Sequence, residues 1–230
     1  MEKILLLSMP SAQRLARAYT QTTSRLFVLN TNSIKLVQIR MNSQNKGFLD
    51  LFDENGKLKE PPKNLDYFSI FGLEKSFALD TAELSRVYKG LQRQLHPDRF
   101  SLKPEEEKDI SEHWSSIVNN GYNWLLKPLP RALYLLELLG TPLEEGHIQI
   151  QSDFLMEMME LNEDILSADK AEIISLGKEI RVRLNEYIDK IETAFRDGNT
   201  EEARNEVAHM KYIANMLDKI IEIETKLEID

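Results

Sequence analysis

Cysteine is absent from the 230 residues. That absence excludes disulfides, thiol catalysis, thiolate zinc sites and protein-held iron–sulfur clusters. Glycine (9) and proline (8) are scarce, which tilts the fold towards long helices. No apolar run approaches the roughly 20 residues needed to span a bilayer, so no membrane role is expected. There is also no Gly-rich phosphate loop, no H-E-x-x-H, no G-x-S-x-G and no Glu-x-x-His pair of the kind that builds carboxylate metal bundles. With only His96, His113, His147 and His209 available, no catalytic set, metal site or cofactor is expected. Positive charge is outnumbered: 29 Lys and Arg stand against 38 Asp and Glu, a formal net charge of −9, which argues against a nucleic-acid partner held by counterion release. What remains is ordinary for a globular protein, 42% hydrophobic and 29% charged, in a length that suits one large or two small domains. The fold class this predicts is all-α.

The charge is segregated. Residues 1–46 hold Lys3, Arg14, Arg17, Arg25, Lys35, Arg40 and Lys46 against Glu2 alone, so everything after them is strongly acidic. A basic, acid-poor leader rich in Ser, Thr and Asn, with Arg14, Leu15, Arg17 and Tyr19 along one amphipathic stretch, has the make-up of a mitochondrial transit peptide. The alternative is a disordered leader. The expected location is therefore the mitochondrial matrix, with the cytosol as alternative. Residues 47–64, with a strand-poor turn over Leu49–Lys57 and a break at Pro61-Pro62, read as a linker, order beginning near Leu65.

Helical periodicity then takes over. Asp66–Gly72 fits a turn or two with an acidic start and a glycine stop. Asp80-Thr81-Ala82-Glu83 resembles a capping box, and Leu84, Val87, Tyr88, Leu91 and Leu95 recur at intervals of three and four until Pro97. This helix is about 22 Å long, and its outward stripe carries Arg86, Lys89 and Arg93. A second helix starts at Pro104 with Glu105, Glu106 and Glu107, and continues through Ile110, Trp114, Ile117, Val118, Tyr122 and Leu125. The pair must pack antiparallel. After Pro128 and Pro130, Ala132–Gly140 is a short apolar helix suited to docking between domains. From Ser152 three helices follow, about 153–166, 170–196 and 200 to the end, with Asp197–Thr200 supplying the turn of a bundle.

Between the first two helices lies His96-Pro97-Asp98. Proline fixes the backbone there, and an imidazole and a carboxylate project from an exposed corner that nothing in the sequence can bury. With Asp66-Tyr67-Phe68, Tyr88, Leu91, Leu95–Phe100 and Asn119–Leu126, this corner resembles a J domain, the module by which DnaJ-type co-chaperones engage DnaK-type chaperones. The continuation, Pro128–Leu136 and Phe154–Glu163, resembles the HscB family, the J-type co-chaperones of iron–sulfur cluster biogenesis.

The resemblance implies an L-shaped all-α protein: a J domain at 65–127 (a helical hairpin plus short helices), a connecting helix and linker at 128–151, and a three-helix bundle at 152–230. It implies that His96, Pro97 and Asp98 make a DnaK-type chaperone's ATPase respond, with Arg86, Lys89 and Arg93 against an acidic surface of that partner. It places an IscU-type scaffold protein on the bundle, at Leu155, Met156, Met159, Glu160 and Glu163, with Tyr212 alongside. Spacing puts the first of these on a narrow strip of one helix, but spacing by itself fits bundle core as well. The chain would then be no enzyme but a regulator of one; a homodimer stays open, and neither nucleic acid nor membrane is an expected partner. Rival readings are a J protein for general organellar folding or import, and a helical adaptor outside chaperone work. Two positions depart from the family pattern. Animal members hold zinc with paired cysteines before the J domain, where Met41–Lys59 has none, so no zinc is expected. Gly121 replaces the usual alanine beside Tyr122, at about 1 kcal/mol of helix propensity.

Overall fold

The computed structural model describes residues 51–144 and 150–228. The expected leader, His147 and the beginning of the expected linker lie outside them. Among the described residues there are seven α-helices, one 3-10 turn and a single isolated β-bridge, so the all-α expectation holds.

Helix α1 (Tyr67–Phe71) opens on Asp66, whose carboxylate accepts from the Ser69 amide at 3.0 Å, and closes on Gly72, left-handed at φ 64°. Helix α2 (Thr81–Leu95) is capped by Asp80 through the amides of Ala82 and Glu83. A 3-10 turn (Pro97–Phe100) leads to α3 (Glu105–Leu126), whose first turn carries three glutamates. Leu84, Val87, Leu91 and Leu95 of α2 bury against Ile110, Trp114, Val118 and Leu125 of α3, the antiparallel hairpin that the periodicity predicts. Between the helices Tyr88 stacks on Tyr122 at 4.0 Å, and Asn119 Oδ1 accepts from both Tyr88 Oη and Gln92 Nε2.

Two segments differ from the sequence reading. Order does not begin near Leu65. Leu51 and Leu58 are buried, the Phe52–Leu58 bridge and the Lys59 amide on the Leu51 carbonyl pair the two arms, the turn between them is organised by Asp53, and Trp114 Nε1 donates to the Lys59 carbonyl at 2.7 Å. The expected linker is thus a small hairpin packed on α3, stabilised by a partner 55 residues away that local patterning cannot reveal. Helix α4 (Pro128–Leu138) begins four residues earlier than Ala132: both prolines sit in its first turn, where no intrahelical N–H bond is lost.

The bundle comprises α5 (Ser152–Ser167), α6 (Lys170–Arg196) and α7 (Thr200–Lys226). Asp169 and Glu172 form a complete capping box at the start of α6, and Asn199 caps α7. The apolar interior divides differently from the sequence. One core joins the α2–α3 hairpin and α4 to the near end of the α6–α7 pair, through Ile191, Ala194, Phe195, Ala203, Val207 and Met210. A second core, Met158, Ile165, Ile173, Ile180, Ile213, Met216 and Ile220, fills the far end, and Leu184 and Tyr187 pack against both. The hairpin and the bundle therefore share an interior and do not merely touch.

Candidate functional site

At the end of α2 the backbone carbonyls must find new partners. Ser111 Oγ donates to the Leu95 carbonyl at 2.8 Å, and Arg99 reaches back to the Arg93 carbonyl at 2.7 Å. The chain then turns through His96, in extended backbone, into Pro97. His96 Nδ1 accepts from the Asp98 amide at 3.3 Å and lies 3.6 Å from Asp98 Oδ2. Below them Phe100 is buried, and Ser101 Oγ donates to the Asp98 carbonyl at 2.9 Å. The corner is anchored from beneath while its side chains face water, His96 at 56% and Asp98 at 91% exposed. The anchoring role of Arg99 has no signal in the sequence, since the carbonyl it reaches lies six residues back at the end of α2.

Arg86, Lys89 and Arg93 are all exposed on α2, as expected. They are not equivalent. Glu83 grips the Arg86 guanidinium with both oxygens, at 2.6 and 2.7 Å, and that hydrogen-bonded carboxylate raises the guanidinium pKa. Arg86 is therefore largely spoken for, and the field beside the corner comes from Lys89 and Arg93, which no carboxylate among the described residues clamps.

The second group lies on α5. Met158, Ile165 and the half-buried Phe154 and Leu161 face the bundle, so the opposite side of the helix must face out. That side carries Met156 (59% exposed) and Met159 (66%), with Glu160 and Glu163 exposed beside them. Spacing admitted bundle core for this strip, and the structure turns it to solvent. Leu155 is half-buried at its flank. Tyr212, on α7, is half-buried with its ring edge-on to Phe154 at 5.8 Å, so its contact with α5 is on the bundle-facing side and the structure does not bring it to the exposed strip. Leu166, 72% exposed and seven residues after Met159, extends the outward stripe by two turns; the spacing i, i+3, i+7, i+10 from Met156 contains that signal. An exposed stripe of methionine and leucine rimmed by carboxylates is suited to an adaptable protein contact, since methionine side chains repack easily against a partner.

A helical hairpin presenting an exposed His-Pro-Asp corner, packed on a three-helix bundle, defines a J-type co-chaperone. Residues 151–221 match the family model described as the HSCB C-terminal oligomerisation domain. The human iron–sulfur cluster co-chaperone protein HscB is 38% identical over 165 residues, 71% of this chain and 70% of that protein. The co-chaperone protein HscB homolog of Aromatoleum aromaticum is 36% identical over 68% of this chain and 94% of its own length. The crystal structure of human co-chaperone protein HscB superposes with a TM-score of 0.72 at 36% identity, covering 76% of this chain and 90% of that one. The chain belongs to the HscB family of iron–sulfur cluster co-chaperones, and the eukaryotic type fits it.

Proposed function

We propose that this protein binds an IscU-type iron–sulfur scaffold on α5 and delivers it to a DnaK-type chaperone, whose ATPase it stimulates through His96, Pro97 and Asp98. The observation that carries the reading is the outward strip of Met156, Met159, Glu160 and Glu163 on the same folded body as the exposed corner. Leu155 flanks the strip and extends the scaffold contact, and Tyr212 supports it from the bundle side through Phe154. On the other surface Lys89 and Arg93, with Arg86 held by Glu83, meet an acidic face of the chaperone. Such opposite charges steer encounter and fix orientation more than they add affinity, so this contact is transient and weakened by salt. The corner acts by favouring the hydrolysis-competent state of the chaperone, a population shift with no chemistry on this chain; the protein is a regulator, not an enzyme. The basic leader supports a mitochondrial matrix address, and the description of the family model supports self-association through the C-terminal domain, for which a homodimer is the simplest form.

Scaffold binding measured by titration calorimetry tests the strip. Met156→Ala/Met159→Ala weakens it by about tenfold or more, the loss of two central apolar contacts, while His96→Gln leaves it unchanged. Equal binding by the double variant would sink the assignment and favour a J protein of general organellar folding or import.

A further inference from the structure

Arg131 is a cation where none is expected. It lies in the apolar helix α4, is only 6% exposed, and its Nε has no hydrogen-bond partner. Desolvation works against its charge, and the nearby Glu192 carboxylate works for it. What it touches explains its place. Its Nη1 donates to the Leu125 carbonyl at 2.8 Å, closing the last turn of α3. Its guanidinium lies 5.0 Å from the centre of the Phe77 ring, and Phe77, in the loop between α1 and α2, stacks at 5.7 Å on Phe195 of α6. One side chain thus engages α3, the α1–α2 loop and, through Phe77 and Glu192, the bundle.

We propose that Arg131, with Phe77 and Phe195, is the pin that fixes how the J-domain hairpin is carried on the bundle, and so is a positioning residue for delivery. The physical reason is directional. The apolar contacts around Ile191, Ala194 and Val207 favour burial but are non-directional, and tolerate some rotation of one helix pair against the other. A planar guanidinium that must satisfy a helix-end carbonyl, lie over a ring and stay near a carboxylate has one arrangement that does all three. A buried charge is a poor source of stability, because a well-packed apolar residue in its place is often neutral or better. Specificity of geometry is the better account of its presence. This inference rests on the delivery reading above in one respect: a fixed geometry matters because it holds the chaperone-facing corner and the scaffold-facing strip at one separation, which raises the effective concentration of one bound partner for the other.

The test exploits the lack of cysteine, since introduced cysteines are the only labelling sites. Asn120→Cys on α3 and Glu179→Cys on α6, both exposed positions, carry spin labels in the full chain, and Glu179→Cys/Asp218→Cys gives a control within the bundle. Wild type gives a narrow distance distribution for both pairs. Arg131→Met, which keeps volume and apolar contact, broadens or shifts the first at least about twofold beyond the label's own width and leaves the control unchanged; Arg131→Lys, which keeps the charge without the planar fork, behaves like Arg131→Met. In steady-state assays with a mitochondrial DnaK-type chaperone, Arg131→Met alone stimulates ATP hydrolysis as wild type does, but the additional stimulation by scaffold falls by about threefold or more. An unchanged first distribution in Arg131→Met overturns the pin, and so does a control that broadens equally, which would make Arg131 a support of the whole bundle. A wild type without any scaffold-dependent stimulation overturns the delivery reading instead, and the distance distributions still decide the pin.

Discussion

Gly121 shows at a single residue how much closeness can depend on a missing side chain. A Cβ there would stand 2.9 Å from Tyr67 Cδ1 and 3.2 Å from Phe71 Cε2, so the helix propensity lost to glycine is exchanged for direct contact between α3 and the rings of α1. Gly90, in α2, has nothing within 4 Å of its would-be Cβ. The two should respond oppositely to substitution: Gly121→Val lowers the unfolding free energy by about 2 kcal/mol through overpacking, whereas Gly90→Ala raises it by about 0.5–1 kcal/mol. Urea unfolding of the two variants checks the contrast, and a stabilised Gly121→Val would refute the close approach. Asp66 gives a pH-dependent case. Partial burial opposes its ionisation, but the Ser69 hydroxyl and amide and the Lys75 ammonium outweigh burial and hold its pKa below the usual 3.8. A carboxylate with a lowered folded pKa contributes stability above the unfolded value and loses it as pH falls through the folded one. The stability gap between wild type and Asp66→Asn is therefore widest at neutral pH and closes as the pH drops below about 3.8. A gap that is constant down to pH 2 would contradict the ion pair and cap. In the sequence, Asp66 is legible as a cap by type and position, while the Gly121 contact is not, because its partner rings lie some 50 residues away.

Among the elements, those with local causes were readable. Helix α2 runs between Asp80 and the His96-Pro97 break, as its spacing predicts, and α6 ends and α7 begins at the Asp197–Thr200 turn, as expected. Three features were not readable, for one shared reason: their partners are distant. Leu51, Phe52 and Leu58 are too few and too close together to show any period, and only Trp114 gives them a place. The side of α5 that faces out depends on where α6 and α7 lie, and Met156, Met158 and Met159 look alike in a pattern of spacings. The burial of Arg131 has no local signal, because Phe77 and Glu192 come to it from distant parts of the chain. The N-terminal hairpin supplies the prediction at this scale. Leu58→Ala costs about 2–4 kcal/mol of stability, as for a buried leucine with little room to collapse, and also shifts Trp114 emission to longer wavelength in the folded state because the indole loses part of its cover. A surface-like effect below about 0.5 kcal/mol would mean that residues 51–59 are the linker the sequence suggests.

At the scale of the whole molecule, two chemically different surfaces belong to one folded body. A charged, rigid corner at the end of α2 suits fast, salt-sensitive encounter with an acidic partner, and an adaptable strip of methionine and leucine on α5 suits a protein held for longer. The apolar core that runs from α2 and α3 through α4 into the α6–α7 pair meets the second core, which holds α5, at Leu184 and Tyr187, so the two surfaces are carried on one continuous interior. The most direct test of the central claim is the steady-state ATPase rate of a mitochondrial DnaK-type chaperone with this protein, with and without the IscU-type scaffold, for wild type, His96→Gln and Met156→Ala/Met159→Ala. The account predicts stimulation by wild type that scaffold enhances more than additively, no stimulation by His96→Gln under either condition, and basal stimulation without enhancement by the methionine double variant. Stimulation by wild type that ignores scaffold, or enhancement that survives loss of both methionines, would contradict it.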